Sequence, residues 1–211
     1  METKTDRPAA LSLYGFPAAA LLVVASIRFL DEPVALSVQR LFRSSPLLGG
    51  FTREIPDLLL PAVLFLSAGM WITYHLRSRK GIRDRWTGFC RLAGTALPAS
   101  YIAKAALKTL FGRIETRAWL EDPASARDLW FQADIDHAGF PSGHMTVFAA
   151  LAAACWIFFP KRGVLASSAF LLLGFALIAT NYHFLSDVIA GGYLGFSVAS
   201  VTHSFLERPP A

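Results

Sequence analysis

The sequence predicts an all-α, polytopic membrane protein that forms a single domain over residues 1–211. Three observations predict this fold class. The first is composition, because 54% of the residues are hydrophobic and only 17% are charged, against roughly 25% charged in an ordinary soluble domain. The second is that the charges lie between apolar stretches close to the ~20 residues that a helix needs to cross a bilayer. The third is that basic and acid-rich connections alternate along the chain.

Six membrane helices are predicted, arranged as a bundle. The first has a basic residue, Arg7, before its apolar run, which is also the pattern of a signal peptide. The run is long and five further spans follow, so a retained helix is the better interpretation. The predicted spans are residues 11–29, 57–76, 88–110, 142–159, 163–182 and 185–206.

The charge of the connections predicts the orientation. Residues 77–87 and the turn 160–163 are basic, whereas residues 113–140 hold six acidic side chains. Basic loops stay in the cytoplasm, so both termini are expected there and residues 113–140 outside, in a multi-pass protein of a cell membrane of the bacterial inner-membrane type. The first outer loop is expected to hold an amphipathic interfacial stretch around Val34–Phe42. Its apolar face would comprise Val34, Val38, Leu41 and Phe42.

The net charge of +5 raises the question of a nucleic-acid partner. Six basic residues fall between Arg77 and Arg91, so the charge fits a cytoplasmic loop and no nucleic-acid partner is expected. The two cysteines, Cys90 and Cys155, form neither a CxxC motif nor a zinc-type cluster. No metal or other cofactor is expected, because the spacing of the one alternative matches no known metal site. That alternative comprises Asp134, Asp136 and His137.

The first group of polar residues closes the third predicted span. Lys104 and Lys108 are one helical turn apart and can share a face, and Arg113 follows shortly after. Cations at the end of a membrane helix are commonly anchors that extend to the interface, an interpretation that stays open for Lys104. For Lys108 and Arg113 the neighbouring groups favour a functional role.

The second group, Pro141-Ser142-Gly143-His144, opens the fourth predicted span. Free N–H groups at a helix N-terminus, together with the helix dipole, favour a bound anion. The histidine in that turn could then donate a proton to a bound phosphate. The alternative is a simple Pro-Ser helix cap with an interfacial histidine.

The third group lies between the last two predicted spans, where His183 and Asp187 are four residues apart. A carboxylate on the same helical face can hold an imidazole in one tautomer and make its other nitrogen nucleophilic. The alternative is that Ser186 or Asp187 only caps the last helix. Ionisable groups at membrane depth are usually functional. All three groups fall on the outer side, and together they supply what phosphoryl transfer through a phosphohistidine requires.

These residues resemble the type 2 phosphatidic acid phosphatase (PAP2) superfamily. Its pattern is Lys, then Arg-Pro seven residues on, then Pro-Ser-Gly-His, then Ser-Arg, five residues, His, three residues and Asp. The second and third motifs match at Pro141–His144 and at His183 with Asp187, and the segment from Lys108 to Arg113 is similar.

Two motifs depart from the family pattern. Glu115 and Thr116 stand in place of Arg-Pro, and Ala176 and Leu177 stand in place of Ser-Arg. Each lost arginine removes a bidentate phosphate contact that lysine cannot reproduce.

The resemblance implies a six-helix PAP2-like bundle whose site lies within residues 104–187. It implies that His183 is the nucleophile, Asp187 its orienting partner and His144 the acid that protonates the leaving oxygen. The expected substrate-binding groups are Lys108, Arg113 and the amides of Ser142 and Gly143. Arg113, Arg117 and Lys104 are the candidate replacements for a lost arginine, with Asn181 as a neutral donor.

Three functions are compatible with this resemblance. The first is a metal-independent phosphatase that acts on a membrane lipid phosphate or diphosphate at the outer face, with that lipid and the surrounding membrane lipids as its partners. The second is a phosphotransferase between lipids. The third is a catalytically degenerate relative that binds a lipid headgroup. The retention of His144, His183 and Asp187 favours an enzyme.

Overall fold

The structure is a computed structural model that describes residues 7–42, 58–121, 130–131 and 138–207. These residues form eight helices, and among them the only extended pairing is one isolated bridge between Ile114 and Ala138. The all-helical prediction is confirmed, and each of the six long helices is present with two short ones added. The helices are α1 (Arg7–Phe29), α2 (Asp31–Phe42), α3 (Leu59–Arg79), α4 (Arg85–Phe111), α5 (Thr116–Glu121), α6 (Gly143–Phe158), α7 (Pro160–Ala179) and α8 (Leu185–Leu206).

Three helices, α3, α7 and α8, are long and apolar enough to cross a membrane, with 21, 20 and 22 residues. They identify the chain as a membrane protein. The stretch Gly15–Phe29 of α1 and the whole of α6 are apolar but shorter. Helix α4 has 27 residues but carries Arg91, Lys104 and Lys108 along its length. By length and apolar composition the described helices thus supply three spans, where the sequence predicts six.

Helices α3 and α7 present their apolar side chains outward. Only 17% of the apolar window of each is buried, and large side chains such as Phe65 on α3 and Phe175 on α7 are mostly exposed. A broad exposed apolar surface of this kind marks contact with lipid. The two helices therefore form lipid-facing walls.

The closest packing in the bundle is between α6 and α8. A Cβ atom at Gly195 would overlap the carbonyl oxygen of Thr146, and one at Gly191 would lie 2.5 Å from the carbonyl oxygen of Ser142. Ala199 continues this stripe of small residues one turn later and is fully buried. Small residues let two membrane helices approach backbone to backbone, which brings the start of α6 against the start of α8.

Helix α4 runs through the centre of the bundle, between α3, α6 and α8. Its buried face is made mainly of small or slender side chains, among them Cys90, Ala93 and Ala96, which pack against alanines of α6 and α8. This packing leaves the polar end of α4, with Lys104 and Lys108, beside the first turn of α6.

The turn between α3 and α4 is held by Asp84, the N-cap of α4. Its carboxylate accepts hydrogen bonds from the amide and the hydroxyl of Thr87, at 2.9 and 2.8 Å, and pairs with Arg77 at 2.6 Å. The bond from the Thr87 amide, more than the charge of Arg77, holds the pKa of Asp84 below its usual value. The basic turn is therefore ordered by a helix cap.

Helix α2 confirms the helical stretch expected near Val34, but with a different buried face. Asp31 and Ala35 are buried, whereas Leu41, predicted to lie on the apolar face, is 72% exposed. The Phe42 side chain lies outside the described residues. The buried face is therefore set by contacts with the remainder of the protein, and α2 covers the junction of α7 and α8, where the Asn181 side chain donates to the Ala35 carbonyl at 3.1 Å.

Candidate active site

The polar end of α4 is shaped by a glycine. Gly112 ends the helix in the left-handed region, with φ of 46°, and its N–H donates to the Lys108 carbonyl at 2.8 Å. Glycine adopts this backbone conformation without the steric cost of a Cβ atom. The chain therefore turns sharply after Phe111, so that Lys104 and Lys108 remain on the helix while Arg113 is directed into the protein.

The start of α6 is tied to the start of α8 through the backbone. Ser142 is the N-cap of α6, and its hydroxyl accepts from the amide of Met145. The Ser142 amide itself donates to the carbonyl of Asp187 at 3.1 Å. It is therefore already engaged, and the amide of Gly143 is the one that the first turn of α6 offers to an anion.

His183 and Asp187 are positioned by the turn that leads from α7 into α8. Asn181 adopts a left-handed conformation, with φ of 50°, which reverses the chain after α7. The His183 Nδ1 then lies 3.6 Å from the Asp187 Oδ2, longer than an ordinary hydrogen bond but within ion-pair distance. The same oxygen accepts from the Phe184 amide at 3.0 Å. Asp187 thus both caps α8 and lies beside the imidazole.

These helix ends surround a small pocket of about 70 Å³. Four predicted site residues line it, namely His183, His144, Lys108 and Gly143, and Lys104 joins them. The Tyr182 ring stands edge-on to both imidazoles, with centroid distances of 5.9 Å to His144 and 5.1 Å to His183. The remaining described lining residues are Leu59, Tyr101 and Glu115.

Arg113 lies in a different place from the one expected for a phosphate ligand. It is 1% exposed and is not among the described residues that line the pocket. Its Nη1 donates to Asp187 Oδ1 and to Ser186 Oγ, both at 2.7 Å, and its Nη2 donates to Asp31 Oδ2 at 2.8 Å. Both Nη groups are therefore bonded inside the protein, behind His183.

Arg117 and Ser142 also stand back from the pocket. Arg117 donates from Nη2 to the Thr180 carbonyl at 3.2 Å, and its guanidinium lies 5.2 Å from the centre of the Tyr182 ring. It therefore supports a pocket wall from outside. Ser142 is fully buried and serves as the cap described above.

Two positions were missed by sequence reasoning. Asp31 is 2% exposed and bonded to Arg113, although the sequence places it in a separate loop. The sequence feature that could have indicated this role is an acidic residue directly after the first apolar run, on the side predicted to hold Arg113. Glu115 faces the pocket. Its signal was its position, seven residues after Lys108, where a phosphate ligand was expected.

Within the described ranges, no group of three or more His, Cys, Asp and Glu side chains is arranged to hold a metal ion. The set considered from the sequence, Asp134, Asp136 and His137, lies outside the described residues. The pocket instead offers two lysines, the N-terminus of a helix and two imidazoles. Groups of these kinds can bind an oxyanion, exchange protons with it or attack its phosphorus atom.

Comparison with known proteins gave two findings. The family model described as the PAP2 superfamily matches residues 89–209. A crystal structure described as the first transmembrane PAP2 type phosphatidylglycerolphosphate phosphatase, from Bacillus subtilis, is similar over 96% of both chains, with 19% sequence identity and a TM-score of 0.48. No curated protein matches the sequence.

Proposed function

Since the chain belongs to the PAP2 superfamily, we propose that it is a phosphatase that removes phosphate from a membrane lipid phosphate through a phosphohistidine, without a metal ion. The observation that carries this proposal is the pocket itself. It places His183, His144, Lys104 and Lys108 around one small volume, with Asp187 directly behind His183.

In the first step His183 attacks the phosphorus atom. Asp187 lies on the Nδ1 side of the ring, so Nε2 is the nitrogen available to a substrate in the pocket. Its lone pair forms the N–P bond while the bond between phosphorus and the lipid oxygen breaks. Asp187 stabilises the positive charge that develops on the ring. His144, in the same pocket, gives a proton to the departing lipid oxygen.

In the second step water replaces the lipid. His144 now accepts a proton from the water as its oxygen bonds to phosphorus, and the N–P bond breaks. Inorganic phosphate leaves, and both histidines return to their starting states. Phosphoryl transfer depends mainly on positioning and on electrostatic stabilisation, which Lys104, Lys108 and the amide of Gly143 would supply.

Glu115 favours a single phosphate over a diphosphate as the substrate group. Glu115 lines the pocket at a position where the family pattern has a cation. A second phosphate would meet this negative charge, and juxtaposed like charges weaken binding. We therefore propose a lipid phosphomonoester as the preferred substrate.

The membrane arrangement is part of the same proposal. Helices α1, α4 and α6 would complete a six-span bundle with α3, α7 and α8, because they pack along those helices. The basic turn after α3 would face the cytoplasm together with both termini, and the pocket, at the other end of α4, would face outward.

Phosphate release from a panel of lipid monophosphates and diphosphates in detergent, with EDTA present, tests this function. We expect release from monophosphates by the wild-type protein and none by His183→Ala. Transfer of phosphate to an added lipid instead of water would identify a phosphotransferase. Binding of the lipids without either reaction would identify a degenerate relative.

A further inference from the structure

We propose that Asp31 and Arg113 are positioning residues, which fix the carboxylate of Asp187 so that it faces His183. This inference rests on the proposed function, because it assigns these two residues a role in the reactivity of His183. Asp31 lies outside the part of the chain that the family model matches, residues 89–209.

The first step of the argument is how fully Asp187 is bound. The side chain is 0% exposed. Its Oδ1 accepts from Arg113 at 2.7 Å, and its Oδ2 accepts from the Phe184 amide at 3.0 Å and lies 3.6 Å from His183 Nδ1. Because Arg113 occupies one oxygen, the other is left in a fixed direction toward the imidazole.

The second step is how Arg113 is held. Its guanidinium lies 4.2 Å from the centre of the Phe184 ring and 4.9 Å from that of Trp130. The aromatic faces favour a cation there and exclude water. In this dry position its direction depends on the two carboxylates that it joins, Asp31 and Asp187, at 2.8 and 2.7 Å.

The third step is what Asp31 adds. Its Oδ1 accepts from the Ser186 amide at 2.9 Å, and its Oδ2 accepts from the Ser186 hydroxyl as well as from Arg113. Asp31 therefore holds both the guanidinium and the first turn of α8, which carries Asp187. Without the charge of Asp31, Asp187 would be the one described carboxylate bonded to Arg113, so the guanidinium would draw the Asp187 charge away from His183 more strongly.

The charges explain why the two residues act together. Two carboxylates and one guanidinium are buried side by side, so the removal of Arg113 alone would leave two neighbouring negative groups without a counter-ion. A buried charge that has lost its partner costs much more than a pair that is removed together. The loss of activity caused by Arg113→Gln should therefore be partly reversed when Asp31→Asn is added.

The test measures kcat and KM for phosphate release from a lipid phosphate, together with single-turnover formation of the phosphoenzyme. In Asp31→Asn we expect kcat and the rate of phosphoenzyme formation to fall about 10- to 150-fold, the equivalent of one charge-assisted hydrogen bond. The KM should change less than about threefold, because Asp31 does not line the pocket. Glu32→Gln, the same charge change at the next and exposed residue, is the matched control and should retain wild-type kinetics.

The double variant Asp31→Asn/Arg113→Gln separates positioning from folding. We expect it to be at least about tenfold more active per folded molecule than Arg113→Gln, with the folded fraction measured by gel filtration and thermal unfolding in detergent. If Asp31→Asn alone does not fold, the comparison of the double variant with Arg113→Gln tests the inference instead.

Three results would overturn the inference while leaving the function intact. Asp31→Asn could have the same kcat as Glu32→Gln, or it could lower only the folded fraction and leave kcat per folded molecule unchanged. The third is a double variant that is no more active per folded molecule than Arg113→Gln. Failure of the function itself is distinct. In that case the wild-type protein releases no phosphate, or His183→Ala remains active.

Discussion

At the residue scale, the two positions where the family pattern has an arginine have opposite surroundings. Leu177 is buried and packs against Met145 and Val188. Glu115 is half-buried and faces the pocket. The family residue, arginine, would therefore enter an apolar cluster at one position and the polar pocket at the other. The consequences of restoring it should differ accordingly.

Leu177→Arg should destabilise the protein. A guanidinium placed between Met145 and Val188 would be buried among apolar side chains, and an uncompensated buried charge costs about 3–5 kcal/mol. Leu177→Met keeps the volume and should cost less than about 1.5 kcal/mol. Thermal unfolding in detergent measures both, and an unfolding temperature for Leu177→Arg equal to that of Leu177→Met would show that the site accommodates the missing arginine.

Glu115→Arg should instead be tolerated and should lower the KM for a lipid monophosphate. One added charge-assisted hydrogen bond to phosphate amounts to ~1.5–3 kcal/mol, or about 10- to 150-fold. Glu115→Gln, which removes the negative charge without adding a cation, should lie between this variant and the wild type. Glu115→Gln should also raise kcat/KM for diphosphates relative to monophosphates. Steady-state kinetics on both substrates measures this, and a higher KM in both variants would contradict the proposed role of Glu115.

At the element scale, the site depends on how closely α6 and α8 approach each other. Gly191 and Gly195 allow the backbones to touch, and the bond from the Ser142 amide to the Asp187 carbonyl joins the first turns of the two helices. The two pocket histidines, one before α8 and one in the first turn of α6, are therefore placed by backbone contact. A change in this contact should affect both stability and activity.

Gly195→Ala should be destabilising, because the added methyl group would overlap the Thr146 carbonyl oxygen. Overpacking of this kind costs about 1–3 kcal/mol. Gly69→Ala is the matched control on α3, since a Cβ atom there meets nothing within 4 Å and alanine is the better helix former by ~1 kcal/mol. The unfolding temperature should fall for Gly195→Ala and rise for Gly69→Ala. Equal shifts would mean that the contact between α6 and α8 is not tight.

The elements that were predictable are those whose pattern is local. Apolar runs predicted the six long helices, and the polar clusters at the helix ends predicted that His144, His183 and Lys108 belong to one site. The surroundings of Arg113 were not predictable, because its partner Asp31 is 82 residues away and no local pattern links them. The same holds for the buried face of α2, which is determined by Arg113 and Ser186 and not by the periodicity of α2 itself.

At the scale of the whole molecule, the ends of α4 and α7 and the starts of α6 and α8 meet at one end of the bundle. The pocket lies there, and α2 packs nearby over the junction of α7 and α8. The basic turn after α3, with Asp84 as its cap, lies at the start of α4, the opposite end of that helix. The basic turn and the pocket therefore lie at opposite ends of the bundle.

Cysteine labelling tests how these two ends are oriented. In a variant from which Cys90 and Cys155 have been replaced, a membrane-impermeant reagent added outside intact cells should label Ser125→Cys and not Ser78→Cys. The reason is that basic connections are retained in the cytoplasm. The reverse pattern of labelling would place the pocket on the cytoplasmic side.

The most direct test of the central claim is to find the residue that carries the phosphoryl group. A labelled lipid phosphate is mixed with the enzyme, the reaction is stopped with base, which preserves phosphohistidine, and the modified peptide is identified by mass spectrometry. We predict phosphate on His183 in the wild-type protein, much less in Asp187→Asn, and none in His183→Ala, which should also be inactive. Phosphate on a different residue, or normal phosphate release by His183→Ala, would contradict the assignment of His183 as the nucleophile.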